Sequence, residues 1–265
     1  MKKGVSKNMK KLIAMLLALT MVLAFAGCAK TQAPETTAAP ETTAAPTEAA
    51  PVETTAAVTE APVAAVMSHE EYMAAPMDSE VTVETYVQGH QSWWDGKITV
   101  YCQSPDGAYF VYELQCSEED AAKLEKGTKI RINGFKGEWA GEVEIMDGTF
   151  EFVEGDTFVA EPVDVTELLG TEELINHQNE VVSFKGLTVE KIAYKNDEPG
   201  DDIYVTLGYN GGSYNFCVEF YLTGTDTDVY KTVGTLNEGD VVDIEGFLYW
   251  YEGVNTHITS VTLAQ

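Results

Sequence analysis

Basic residues are scarce in this 265-residue chain: 16 Lys and Arg stand against 43 Asp and Glu, a net charge of -27. So acidic a surface repels phosphate backbones and anionic lipid, which argues against nucleic acid as a partner. Histidine is scarcer still, and His69, His90, His177 and His257 fall in different segments without metal-ligand spacing. Gly-x-Ser-x-Gly, His-Glu-x-x-His, Walker and Cys-x-x-Cys patterns are all missing, so no catalytic residue and no cofactor is expected. Gly211-Gly212-Ser213-Tyr214-Asn215 lacks the second glycine of a nucleophile elbow. Cysteine is also rare. Apart from Cys28 there are only Cys102, Cys116 and Cys217, an odd number that rules out complete internal pairing. Cys102 and Cys116 lie at unequal distances from a turn at Pro105-Asp106-Gly107, so they are not expected to face each other across a hairpin, and all three read as small buried thiols.

What is present begins with an address. Met1 to Lys11 is basic, Leu12 to Phe25 is apolar, and Ala26-Gly27-Cys28 places small residues before a cysteine. The apolar run is short and ends in a processing site, so it reads as a signal peptide rather than a membrane span. The stretch resembles bacterial lipoprotein signals. That resemblance implies loss of residues 1–27, a lipid on Cys28, and a mature protein anchored to the outer face of the cell membrane. Five lysines would leave with the signal and no acidic residue would, which leaves 11 basic against 43 acidic residues, net -32. Residues 28–66 then form a tether rich in Pro, Thr, Ala and Glu, with Ala33 to Ala38 repeated as Ala39 to Ala44. No helix or strand period runs through it, so it is expected to be disordered. Extended at about 3.1 Å per residue, it would reach on the order of 100 Å.

From Met67 onward the composition becomes globular, and an internal repeat divides it. Leu124 to Phe135 matches Leu236 to Phe247 in spacing, each with two glycines (Gly127 and Gly134, Gly239 and Gly246) bracketing alternating apolar residues. That pattern describes a turn, a strand and a bend. Two units are therefore expected, 67–158 and 159–265. In the first, strands are expected at Val81 to about Trp94 (with Gly89 as a bulge), Lys97 to Gln103 and Ala108 to Gln115. A helix capped by Ser117 follows, then strands at Thr128 to Phe135 and Gly141 to Phe152. Turns are expected at Asp95-Gly96 and, in the second unit, at Asn210-Gly211. The second unit repeats the order at Glu180 to Ile192, Asp202 to Leu207, Ser213 to Leu222, a helix near Thr227 to Leu236, Asp240 to Tyr249 and Asn255 to Leu263. Three strands, a helix and two strands is the order of the OB-fold. The fold class expected is all-β with short helices: two tandem OB-fold-like five-stranded Greek-key barrels after a disordered tether. The pattern resembles tandem OB-like domains of Gram-positive lipoproteins, and it brings no catalytic motif with it.

OB barrels bind through the outer face of strands two and three and through nearby loops. Taking Ile98, Val100 and Cys102 as inward together with Phe110, Tyr112 and Leu114 turns Tyr101, Tyr109 and Glu113 outward. In the second unit the same phase puts Ile203, Val205, Phe216, Val218 and Phe220 inward and Tyr204, Glu219 and Tyr221 outward. Trp93, Trp94, Trp139, Trp250 and Tyr251 add rings in the loops. Aromatic faces beside carboxylates suit sugar rings and their hydroxyls, so these residues are the expected ligand-binding set. The alternative reading of the same rings is that they cap the barrel ends or pack between the units. A weaker candidate is the acidic loop holding Asp197, Glu198, Asp201 and Asp202, dense in oxygen ligands for Ca²⁺ but without EF-hand spacing. The function expected is a non-catalytic extracellular binding module for carbohydrate or cell-wall polymer. The alternative is a structural or protein-interaction surface lipoprotein. Nucleic-acid binding through the OB barrels comes third, because the units carry net charges of -13 and -15 and offer no basic groove.

Overall fold

The computed structural model describes residues 65–264. The signal-like segment, Cys28 and all but the end of the tether lie outside the described residues. Among the described residues, no helix is long and apolar enough to cross a membrane.

The first ring starts with α1 (His69–Ala74), closed at its N-terminus by a capping box between Ser68 and Glu71. It continues through β1 (Glu80–His90), β2 (Lys97–Ser104), β3 (Gly107–Gln115), α2 (Glu118–Ala121), β4 (Lys129–Trp139) and β5 (Glu142–Phe152). These five strands close in the order β1-β2-β3-β5-β4, with β3 and β5 parallel and the other neighbours antiparallel. Val83, Val100, Val111, Ile130, Ile132 and Ile145 fill the interior.

The second set runs β6 (Val163–Asp164), β7 (Val181–Tyr194), β8 (Ile203–Tyr209), β9 (Gly212–Val218), α3 (Phe220–Thr223), α4 (Asp228–Val233), β10 (Val241–Phe247) and β11 (Asn255–Leu263). Strands β7-β8-β9-β11-β10 form the same ring, closed by pairing of β10 with β7, and β6 adds a short parallel edge outside it. Its interior is built on Phe184, Leu187, Val205, Leu207, Phe216 and Ile244. The chain is thus all-β with short helices and OB-like barrels.

Two glycine pairs show why the internal repeat has its spacing. Gly127 and Gly239 both hold φ near +92° at the turn into the fourth strand, in the left-handed region that a side chain disfavours. Gly134 and Gly246 both sit where the register of that strand shifts, and a Cβ there would meet Ile145 at 2.6 Å and the His257 carbonyl at 2.2 Å. In each strand the register shifts at a point where only a missing side chain lets the neighbouring strand approach.

Two sequence expectations need correction. On β3, Ile98 pairs with Leu114 but Val100 pairs with Val111, so Tyr112 and Glu113 share the one place opposite Thr99. Glu113 takes φ +48° and its N–H donates to Thr99 Oγ1 at 3.2 Å. This bulge flips everything before it: Tyr109 and Val111 point into the barrel, while Phe110 and Tyr112 point out. In the second barrel, β9 stops at Val218, and Glu219 to Tyr221 lie at the start of α3 rather than along a strand. The Glu219 carboxylate accepts the Leu222 N–H at 2.7 Å, and Asp202 accepts the Phe220 N–H at 2.9 Å. These two acceptors turn an alternating sequence into a helical turn.

A third apolar cluster joins the barrels. Tyr101 of β2 stacks on Phe247 of β10 with centroids 4.3 Å apart, and Phe110, Ala160 and Val181 complete the patch. Backbone N–H groups of the second barrel donate to side chains of the first, Val181 to Gln103 Oε1 and Trp250 to Glu142 Oε2, each at 2.8 Å.

Candidate functional site

The bulge and the displaced helix together make a concavity that gathers four of the sequence-predicted residues. It encloses about 610 Å³ between the β1–β2 hairpin, the outer side of β2 and β3, and α3. Asp95 and Gly96 take φ of +47° and +81°, forming the expected hairpin turn, and Trp94 and Lys97 exchange two backbone hydrogen bonds across it at 2.9 and 3.0 Å. The turn presents Trp94 at the rim, where it is 78% exposed. Opposite stands Tyr221, 51% exposed, whose carbonyl accepts the Ser92 N–H at 2.6 Å and so ties α3 to the hairpin. Tyr112, turned out by the bulge, supplies a third ring to the lining.

Three carboxyl groups line the same hollow: Asp95, Glu113 and Glu219. Glu113 is held below the ordinary carboxylate range by Lys97, whose ammonium lies 2.6 Å away. Glu219 moves the other way. Burial pushes it up to about 7, with the charge of Asp202 adding to the effect and the hydrogen bond from Leu222 opposing it. One wall therefore carries a settled ion pair and the other a carboxyl close to its titration point at neutral pH.

Of the predicted set, Trp94, Glu113, Glu219 and Tyr221 meet here, while Tyr112 and Lys97 were missed. The clue to Tyr112 lay in the spacing of Val111 and Leu114, three positions apart where an unbroken strand would place its inward residues two or four apart.

The other predicted residues lie elsewhere. Tyr101 does face away from its own barrel, but the second barrel covers it to 1% exposure, and its hydroxyl meets His257 Nδ1 at 2.6 Å. Tyr109, expected outward, is a core residue packed between Tyr72 and His69 with centroids 5.1 and 5.2 Å away. Trp93 is half-buried against the first core and donates Nε1–H to the Cys116 carbonyl at 2.8 Å. Trp250 packs on the second core and over Gly141, lining a separate hollow of about 720 Å³ with Tyr214. Trp139, Tyr204 and Tyr251 are exposed and line neither hollow.

The acidic loop is already neutralised in part, because Lys195 Nζ binds Asp201 at 3.1 Å and Asp202 at 3.0 Å. Asp197 and Glu198 add no third ligand, and among the described residues no group of three or more acidic, His or Cys side chains is placed to hold a metal ion. Cys102, Cys116 and Cys217 are free and buried, with burial raising each thiol.

No family model matches this sequence and no curated protein matches it. Among solved structures, the chain is similar to a murine DNA-binding protein bound with double-stranded DNA. The identity is 12%, over 69% of this chain and 96% of that one, with a TM-score of 0.35. Replication protein A bound to single-stranded DNA is 13% identical over 70% of this chain and 50% of that one, at 0.29. Asparaginyl-tRNA synthetase from Pyrococcus horikoshii is 17% identical at 0.27, and the match spans 32% of this chain and only 19% of that enzyme. Scores this low assign no ligand to the chain.

Proposed function

We propose that the protein is a membrane-anchored extracellular lipoprotein that acts as a non-catalytic binding module for carbohydrate or cell-wall polymer, through the hollow between the β1–β2 hairpin and α3. The observation that carries this reading is the set of three exposed rings, Trp94, Tyr112 and Tyr221, around one cavity edged by carboxyl groups and the Thr99 and Ser92 hydroxyls. Rings of this kind stack on the C–H faces of sugars while the polar edge accepts hydroxyl protons. Anchoring through Cys28 rests on the basic, apolar and small-residue order of residues 1–28. The acidic charge of both barrels supports an uncharged or cationic ligand over nucleic acid.

Titrating the protein with polysaccharides while following tryptophan fluorescence tests the reading, because Trp94 forms the rim. A ring stacked on a ligand is worth about 1–3 kcal/mol, so Trp94→Ala is expected to weaken binding by roughly five- to a hundred-fold. Its melting temperature should stay within about a degree or two, because the ring is largely in water. If no polysaccharide binds, or if Trp94→Ala binds as tightly as the parent, the glycan site is refuted and the protein-interaction alternative takes its place.

A further inference from the structure

The charge of the hollow narrows the chemistry of its ligand. Of the three carboxyl groups, only Glu113 has a cation beside it, and that cation, Lys97, is the sole basic residue of the lining. Among the described residues Asp95 and Glu219 make no ion pair; Lys195 acts on Glu219 only from a distance, being bound to Asp201 and Asp202. Asp95 sits at the hairpin tip next to Trp94, and Glu219 sits at the start of α3 next to the exposed Tyr221. A neutral sugar settling on these rings would strip water from the Asp95 carboxylate, leave Glu219 protonated, and return only hydroxyl hydrogen bonds. An ammonium group would answer both costs at once, by pairing with the carboxylates and by lying over the rings.

We propose that the glycan taken by this hollow carries free primary amines, as in oligomers of de-N-acetylated glucosamine, with Asp95 and Glu219 receiving the ammonium groups and Trp94 and Tyr221 receiving the ring faces. The inference rests on the glycan reading given above and specifies its substrate class. Glu219 fits the role because its carboxyl is held near its titration point by burial, so an arriving ammonium draws it to the ionised state and releases a proton. Lys97 does not oppose the ligand, since Glu113 already satisfies its charge. The rest of the surface is acidic as well, so a weak general attraction for polycations is expected everywhere. What marks a site is the dependence on two named carboxylates and on a ring.

Isothermal titration of the protein with the glucosamine tetramer and with its N-acetylated counterpart, at low salt and pH 6.5, decides the matter. The amine form is expected to bind at least ten-fold tighter, and the gap should shrink as salt screens the charges. The double variant Asp95→Asn, Glu219→Gln should lose that gap, whereas Trp94→Ala should weaken the binding of both oligomers. Both amides keep the local backbone supplied: asparagine tolerates the left-handed turn position, and glutamine still offers an acceptor to the Leu222 N–H. Equal or tighter binding of the N-acetylated tetramer would overturn the amine inference and leave the glycan site standing. Undiminished binding of the amine form by the double variant would also overturn it, as attraction to the acidic surface at large. Binding of some other polysaccharide but neither tetramer would do the same. Absence of binding by any saccharide would remove the glycan reading itself.

Discussion

Replacing Glu142 with glutamine should make this protein more stable, and more so as the pH rises. The carboxyl of Glu142 is wholly buried where the two barrels meet. Its Oε2 accepts the Trp250 N–H at 2.8 Å and the Gln178 amide at 3.3 Å. Its Oε1 has no partner, and neither has the buried Oδ1 of Asn179, a residue close enough to hydrogen-bond with the same carboxyl. A buried carboxylate with one oxygen unpartnered has lost water without full replacement, and a proton on Glu142 removes the charge that makes this costly. Burial pushes this carboxyl from 4.5 up to about 8, against the hydrogen bonds from Trp250, Asn179 and Gln178 and with the charge of the nearby Glu144 reinforcing the shift.

Because the folded state holds this proton more tightly than the unfolded chain, folding is favoured most below pH 4.5, and stability falls as pH rises from 4.5 to about 8. At about 1.4 kcal/mol per unit, the loss from this one group is about 3 kcal/mol at pH 7 and about 4 at pH 8. Glutamine keeps the acceptor for Trp250 and has no charge to bury. Urea denaturation of parent and Glu142→Gln at intervals from pH 4.5 to 8.5 should show the two stabilities diverging by those amounts, the variant ahead. Two curves that run parallel, or a variant weaker than the parent at pH 8, would refute the account of this buried carboxyl.

Further expectations follow from the same joint and from the exposed rings. His257, buried beside Tyr101, is held down to about 3 by desolvation, so the stability it allows is complete above pH 6.5 and lost as pH falls toward 3. His257→Gln, which keeps an acceptor for the Tyr101 hydroxyl, should flatten that acid limb of the denaturation profile. Tyr101→Phe should cost about 1–3 kcal/mol in urea denaturation, because it leaves His257 Nδ1 buried without a partner. Trp250→Ala should cost about 3 kcal/mol and Trp139→Ala less than about 0.5, since the first ring packs on the second core and over Gly141 while the second is 62% exposed. Cys28→Ser should release the protein to the medium or leave an unprocessed precursor; a cleaved form still fractionating with membranes would count against the lipid anchor.

The parts of this architecture that could be read from sequence are those set by short-range backbone chemistry. Asp95-Gly96 and Asn210-Gly211 adopt positive φ at both positions, as two-residue hairpin turns require, and no tertiary contact was needed to anticipate them. Gly127 and Gly239, with Gly134 and Gly246 seven residues on, repeat because each barrel needs the same turn and the same close crossing. Those fixed points gave the order of the strands. The candidate site depended on a different kind of information. A single extra residue at Tyr112-Glu113 reversed the phase of β3, exchanging Tyr109 for Tyr112 on the outer face, because strand alternation carries no memory across a bulge.

Burial by the partner barrel was illegible for a related reason. Tyr101 and Trp94 are both aromatic residues pointing away from the first core, and nothing within β1 and β2 says that Phe247 will cover one while the other stays in water. The cover comes from β10, nearly 150 residues later in the chain, and the distinction exists only once both rings have closed. The same closure brings α3 up to the hairpin and so creates the hollow, with one wall from each barrel. Rings that meet the opposite barrel become structure, and rings just beyond its edge remain available to a ligand. The joint and the candidate site are thus one continuous outer face of β2 and β3, divided by how far the second barrel reaches across it.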